Sequence, residues 1–165
     1  MRLFGAVYIL ILMALNNKIR YVVRNRKARH DYTIEDTVEA GIELRGCEVK
    51  SLREGKVNIS DAYAVIENAQ LFLKKLHISP YKMAQEEIDP LRTRRLLMHK
   101  KEIRKLTAEI DQKGKTLIPL SIYFKGNIAK IELALAVGRR KYDKREAISK
   151  QESDRRIRRA IRKDI

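Results

Sequence analysis

The chain has 165 residues, 44% of them hydrophobic, enough for one modest core and the size of a single domain with an appended tail. Its 37 Lys and Arg against 21 Asp and Glu leave a formal net charge of +16, a self-repelling surface best explained by an anionic partner, either nucleic acid or an anionic membrane face. The single cysteine, Cys47, excludes an internal disulfide, and its setting between an expected strand and an expected helix suits a small buried side chain better than a nucleophile.

In chain order, Leu3 to Leu15 is an almost wholly apolar run of 13 behind Arg2, short of the roughly 20 residues a membrane-spanning helix needs. It has the length of a signal-peptide core, but no small-x-small cleavage site follows it. Three readings fit: a degraded targeting segment, a short anchor, or residues encoded upstream of the true start, with Met13 as initiator. The last is preferred. Residues 16–29 carry Lys18, Arg20, Arg24, Arg26, Lys27 and Arg29 and read as a flexible basic arm. From His30 the pattern turns to strands, with Tyr32, Ile34 and Val38 on one parity, Asp36 interrupting, and Gly41 permitting a bend or bulge before Ile42 and Leu44. Val49 and Leu52 mark a short helix over Glu48–Glu54 that stops at Gly55, a left-handed cap. Ala62–Ile66 and Leu71–Leu76 flank Glu67-Asn68-Ala69-Gln70 as a hairpin, and Pro80 ends the strand that continues from His77. After a polar connector, Lys82–Asp89, and Asp89-Pro90, helical spacing of Leu96, Ile103, Leu106 and Ile110 leads to a cap at Gly114. Two strands follow, Leu117–Phe124 and Ile128–Val137, joined at Lys125-Gly126-Asn127.

The expected fold is mainly β with added helices. Five or six short strands, with one helix inserted among them and a shorter one near the start, would hide their edges by closing into a small barrel. The segment 138–165 differs: 12 Lys and Arg against five acids, with Ile148, Ile157, Ile161 and Ile165 as its large aliphatics. That is too little apolar area to repay ordering, so it is expected to be disordered when free and helical against RNA. The chain thus divides into an apolar segment and basic arm (1–24), a folded body (25–137) and a basic tail (138–165).

No signal for catalysis survives inspection. Lys113-Gly114-Lys115-Thr116 ends like a phosphate-binding loop, but Glu109 stands where the first glycine is required and a helix, not a strand, precedes it. His30, His77 and His99 are scattered without metal-ligand spacing. Asn58-Ile59-Ser60 matches a glycosylation acceptor, a three-residue match of little weight. No paired carboxylates and no serine with a plausible base stand out, so neither metal nor cofactor is expected. The informative features are basic. Arg92-Thr93-Arg94-Arg95 follows Asp89-Pro90 where the chain is expected to enter the long helix, a place suited to phosphate binding. Tyr32, Tyr63, Tyr81, Tyr123, Phe72 and Phe124 are candidates for stacking on bases, although most fall at core positions.

Specific strings then carry a resemblance. Asn25-Arg26-Lys27-Ala28-Arg29-His30-Asp31-Tyr32, Glu39-Ala40-Gly41-Ile42, Glu48-Val49-Lys50-Ser51-Leu52-Arg53 and Asn58-Ile59-Ser60-Asp61-Ala62-Tyr63 come first. His77-Ile78-Ser79-Pro80-Tyr81, Asp89-Pro90-Leu91-Arg92-Thr93-Arg94-Arg95-Leu96-Leu97 and Ala136-Val137-Gly138-Arg139-Arg140-Lys141-Tyr142-Asp143-Lys144-Arg145 follow. In that order they resemble the small protein B family, the transfer-messenger RNA-binding proteins of bacterial trans-translation. The resemblance implies an oligonucleotide-binding (OB) type closed β-barrel with an inserted helix and a basic tail, in a cytoplasmic, monomeric, non-enzymatic protein. It implies two partners: the tRNA-like domain of transfer-messenger RNA, escorted into the empty A site of a stalled ribosome, and the ribosome itself, whose vacant messenger channel and decoding-centre RNA meet the tail.

For the RNA, the resemblance points to Asn25, Glu39 and Leu97, and the basic residues of the same strings, Arg26, Lys27, Arg29, His30, Arg92, Arg94 and Arg95, join them as candidate RNA-binding residues. Asn25 would hydrogen-bond bases or sugars, Glu39 would accept from an RNA amino group or orient arginines, and Leu97 would pack on an unstacked base or ribose. For the ribosome it points to Gly138 as a hinge, to Arg139, Arg140, Lys141, Tyr142, Asp143, Lys144 and Arg145, and to Arg155 and Arg156 in the tail. Tyr142 stands where some members carry His, and an aromatic ring still allows stacking. The residues before Asn16 have no counterpart in the family pattern. Two other classes stay open on sequence alone: a general single-strand-binding barrel, and a membrane-attached basic protein held by Leu3–Leu15.

Overall fold

A computed structural model describes residues 19–84 and 87–139. The apolar run Leu3–Leu15 and the tail from Arg140 onward lie outside the described residues. In chain order the elements are β1 (Ile19–Arg24), α1 (Arg26–Asp31), β2 (Tyr32–Ile42), α2 (Gly46–Arg53), β3 (Val57–Asn58), β4 (Tyr63–Glu67), β5 (Gln70–Lys74), β6 (His77–Ile78), β7 (Arg94–Leu97), α3 (Lys100–Lys113), β8 (Thr116–Lys125) and β9 (Ile128–Gly138).

The pairings are antiparallel and run β1-β8-β4-β5-β7-β2-β9, with β9 pairing back to β8. Six strands therefore close a ring and β1 lies outside it, against β8. Strands β3 and β6 form a small separate ladder. The chain is mainly β with added helices, as its patterning predicts. Closure satisfies the backbone groups that open edges would leave exposed. Inside the ring sit Leu71, Leu73, Leu96, Leu117, Ile122, Ile131 and Leu133, joined by Leu52 of α2 and by Ile103 and Leu106 of α3. Each such side chain contributes about 1.5–3 kcal/mol by leaving water.

Local chemistry sets the connections. Asn68 and Ala69 both have positive φ (51° and 56°), the backbone of the two-residue turn that joins β4 to β5. Gly114, at φ 57°, caps α3 in the left-handed conformation. The phosphate-loop-like string thus runs from helix to strand, the reverse of a phosphate-binding loop. Its Lys115 is buried, with the ammonium held between Glu109 (2.8 Å) and Glu35.

Three sequence expectations need correction. The segment read as a flexible arm contains β1 from Ile19, whose Val22 and Val23 pack on the core, and α1 from Arg26. Arg94–Leu97 is a strand, not the start of the long helix, which begins at Lys100 behind His99. Gly41 lies within β2 opposite Leu97, and the irregularity in β2 falls between Ile34 and Asp36. That shift changes which parity faces inward. Tyr32 and Ile34 pack under α1 on the outside, while Val38, Ala40 and Ile42 face the core.

Candidate nucleic-acid interface

Alternation along β9 divides the outer surface of the ring into a covered half and an open half. Ala134 and Ala136 lie under α1 with Ala28, Ile118 and Leu120. Glu132, Lys130 and Ile128 continue the same parity beyond the helix. Pairing then aligns one row of side chains across five strands: Leu97 of β7 opposite Gly41 of β2, Gly41 opposite Lys130 of β9, Lys130 opposite Tyr123 of β8, and Tyr123 opposite Tyr21 of β1. The adjoining row holds Glu39, Glu132, Ser121 and Arg24.

The geometry of this patch is specific. The Tyr123 hydroxyl donates to the Glu39 carboxylate, and Lys130 Nζ stands 3.1 Å from its other oxygen. The Tyr123 hydrogen bond, supported by Lys130, holds the Glu39 carboxyl below the usual carboxylate range. The Tyr123 phenol is pushed up, by burial first and by Glu39 second. Glu39 is therefore an oriented, ionised acceptor that stays partly open to solvent. Beside it Leu97 is 51% exposed and lies over Gly41, where an added Cβ would come within 3.3 Å of the Leu97 Cβ. Arg95 shares the outward parity of Leu97 on β7 and is exposed. At the other end Tyr21 leans on Tyr123, ring centroids 5.4 Å apart, with the Arg24 guanidinium 3.8 Å from the Tyr21 centroid.

The remaining expected residues fall in three places. Arg26, Lys27 and Arg29 are exposed on α1, and His30 is half-buried with Nδ1 3.3 Å from Asp31. Asn25 is not presented to a ligand: its Oδ1 accepts from Ala28 N (3.0 Å), capping α1, and its Nδ2 donates to Pro119 O (3.2 Å). Arg94 is not presented either, being wholly buried. Its guanidinium donates to Glu48 (2.9 Å) and to the carbonyls of Leu76, Arg92 and Pro90. Arg92, half-buried, also engages Glu48 through Nε (3.0 Å). The basic cluster at 92–95 is thus largely an internal ion-pair network around one carboxylate, and Arg95 alone of its arginines stands free of that network. Gly138 ends β9 opposite Tyr32, and Arg139 N donates to Asp31 O (3.1 Å), so the body continues through the expected hinge. Arg140, Lys141, Tyr142, Asp143, Lys144, Arg145, Arg155 and Arg156 lie outside the described residues.

Sequence reading did not connect Tyr21, Arg24, Gly41 and Lys130 with this patch, since it is strand pairing that lines them up with Leu97 and Tyr123. Among the described residues no group of three or more His, Cys, Asp or Glu is arranged to hold a metal, and no helix is long and apolar enough to cross a membrane.

Comparison with known proteins agrees with this architecture. The chain is 55% identical over 147 residues to the SsrA-binding protein of Halothermothrix orenii, covering 88% of this chain and 95% of that one. It is 52% identical over 147 residues to the SsrA-binding protein of Caldicellulosiruptor bescii, covering 88% and 93%. A solved chain described as "tmRNA-SmpB: a journey to the center of the bacterial ribosome" superposes with a TM-score of 0.61 at 49% identity, covering 76% of this chain and 93% of that chain. The SmpB protein family profile matches residues 22–163, and with these relatives it places the chain in the SmpB family.

Proposed function

We propose that this chain binds the tRNA-like domain of transfer-messenger RNA and delivers it to the A site of stalled ribosomes, working in the cytoplasm by binding alone, without turnover. The relatives named for SsrA binding and the solved tmRNA-SmpB chain support that partner. The observation that carries it in this molecule is Glu39, an ionised acceptor held by Tyr123 and Lys130 beside the exposed Leu97. An acceptor flanked by an apolar side chain suits a base edge and face, whereas the surrounding cations suit phosphates; such a mixture reads a folded RNA better than a uniform basic groove would.

The closed ring of strands is consistent with an OB-type body. In this division of labour the body, residues 19–139, grips the RNA, and the basic tail enters the vacant messenger channel. Asn25 and Arg94 act indirectly, Asn25 by seating α1 and Arg94 by fixing the segment before β7.

Competition binding tests the proposal. A labelled tRNA-like-domain transcript should resist displacement by excess unstructured RNA at moderate salt, because shape and base contacts survive screening that removes phosphate contacts. Displacement by the unstructured RNA would instead assign a general single-strand-binding activity.

A further inference from the structure

Strand β1 stands outside the closed ring, and its outward side chains are not needed to complete it. Tyr21 is nevertheless elaborately placed. Its ring rests on Tyr123, which itself orients Glu39, and Arg24 lies against it after an irregularity in the β1–β8 pairing between Tyr21 and Val23. That irregularity returns Arg24 to the outer face, opposite Ser121. Even so, Tyr21 keeps 48% of its surface exposed.

We infer that Tyr21 and Arg24 form a stacking platform for one unpaired nucleobase, which extends the Glu39–Leu97 face across β1. The inference rests on the RNA-binding role proposed above and names which kind of nucleotide the face takes. A flat aromatic surface attracts the face of a base, and that face is available only where the base has left a helical stack. The Arg24 guanidinium lies over the Tyr21 ring, 3.8 Å from its centroid, so the platform is ring and guanidinium plane together. The edge of that guanidinium can pair with the phosphate of the same nucleotide, and Lys130 and Lys125 stand at neighbouring register positions on β9 and β8. The oriented Glu39 carboxylate, reached through Tyr123, accepts from the amino or imino edge of the adjoining base. A purely apolar occupant is less suited. The exposed aliphatic residues nearby, Ile19 and Ile128, are separated by Lys125, which opposes both.

Binding of the full chain to a tRNA-like-domain transcript, and to an RNA duplex of similar length, tests this. Tyr21→Ala should weaken transcript binding roughly 5- to 150-fold, the equivalent of about 1–3 kcal/mol of base stacking. It should leave duplex binding and the salt slope unchanged. Tyr21→Phe should bind like the parent. Tyr21→Leu, which keeps apolar bulk for the fold, should show the same loss as Tyr21→Ala. Arg24→Gln should reduce the salt slope by roughly 0.7, one single-strand phosphate. If Tyr21→Ala and Tyr21→Leu bind within twofold of the parent while Glu39→Ala binds poorly, the platform is overturned and the RNA-binding role stands. Equal losses on transcript and duplex also overturn it. A Tyr21→Ala loss that vanishes in a chain lacking residues 1–15 assigns Tyr21 to the chain's own apolar start and overturns it likewise. A parent chain that binds the transcript no better than the duplex overturns both claims.

Discussion

Arg94 carries its charge into the protein interior with 0% side-chain exposure, and what makes this tolerable is Glu48, itself 5% exposed. Burial alone would raise the Glu48 carboxyl, but the Arg92 hydrogen bond, the Arg45 backbone N–H and the nearby Arg94 charge bring it below its ordinary value. Glu48→Ala should therefore destabilise the fold by about 3–5 kcal/mol, since it strands a buried guanidinium; denaturant unfolding at neutral pH measures this. A carboxyl with a lowered folded-state pKa adds stability above its unfolded value and loses it as pH falls through the folded one. The parent should thus lose stability more steeply than Glu48→Gln as pH drops from the ordinary 4.5 downward. Asn25 makes a parallel case. Asn25→Ala should cost about 1–2 kcal/mol of stability through the lost cap, and weaken RNA binding only as far as α1 shifts. Sequence strings assigned both residues to a ligand because their internal partners, Glu48 and the Pro119 carbonyl, lie 46 and 94 positions away. Glu39 and Leu97 are candidate site residues by resemblance, and the structure leaves both partly open to solvent.

Elements with a regular apolar alternation were legible, and those stabilised by distant partners were not. The β4–β5 and β8–β9 hairpins, the short helix ending at Gly55 and the cap at Gly114 follow from turn chemistry and periodicity that a few neighbouring residues contain. Strand β7 hides because its inward positions are Arg94 and Leu96, so a charge stands where an apolar residue is expected. Strand β1 hides because it borrows its order from β8, and its two arginines break the alternation: Arg20 lies over the Phe124 ring on one face, while Arg24 stands on the other beside Tyr21. The inside–outside switch in β2 leaves no mark beyond Asp36, since a bulge reverses parity without changing composition. Turn chemistry also yields a gain. Ala69 holds φ 56°, which an L side chain with a Cβ adopts at a cost. Ala69→Gly should then stabilise the β4–β5 hairpin by about 0.5–1 kcal/mol, less what the freer unfolded chain gives back. Thermal unfolding of the two proteins, with RNA binding unchanged, checks it.

At the scale of the whole molecule, charge is divided unevenly between a body that folds by burial and a tail that has little to bury. Residues 140–165 carry eleven Lys and Arg against five acids. Where to separate the two parts is a structural question. Gly138 still pairs with Tyr32, and Arg139 still bonds the Asp31 carbonyl and reaches Thr33 Oγ1 at 3.3 Å. A chain ending at Val137 would strip the last pair from the β2–β9 ladder and loosen the end of α1, confusing a tail effect with a body effect. A chain ending at Arg139 keeps the ladder whole. It should bind the tRNA-like-domain transcript within a few-fold of the full chain and with the same salt slope, because the phosphates it neutralises are met by the body. It should fail to support peptide tagging on stalled ribosomes, where the missing cations would have met ribosomal RNA. Binding and tagging measured on that one protein decide the matter. A collapse of transcript affinity, or a salt slope lowered by several units, would place the RNA grip in the tail and remove the division between a reading body and a ribosome-seeking extension.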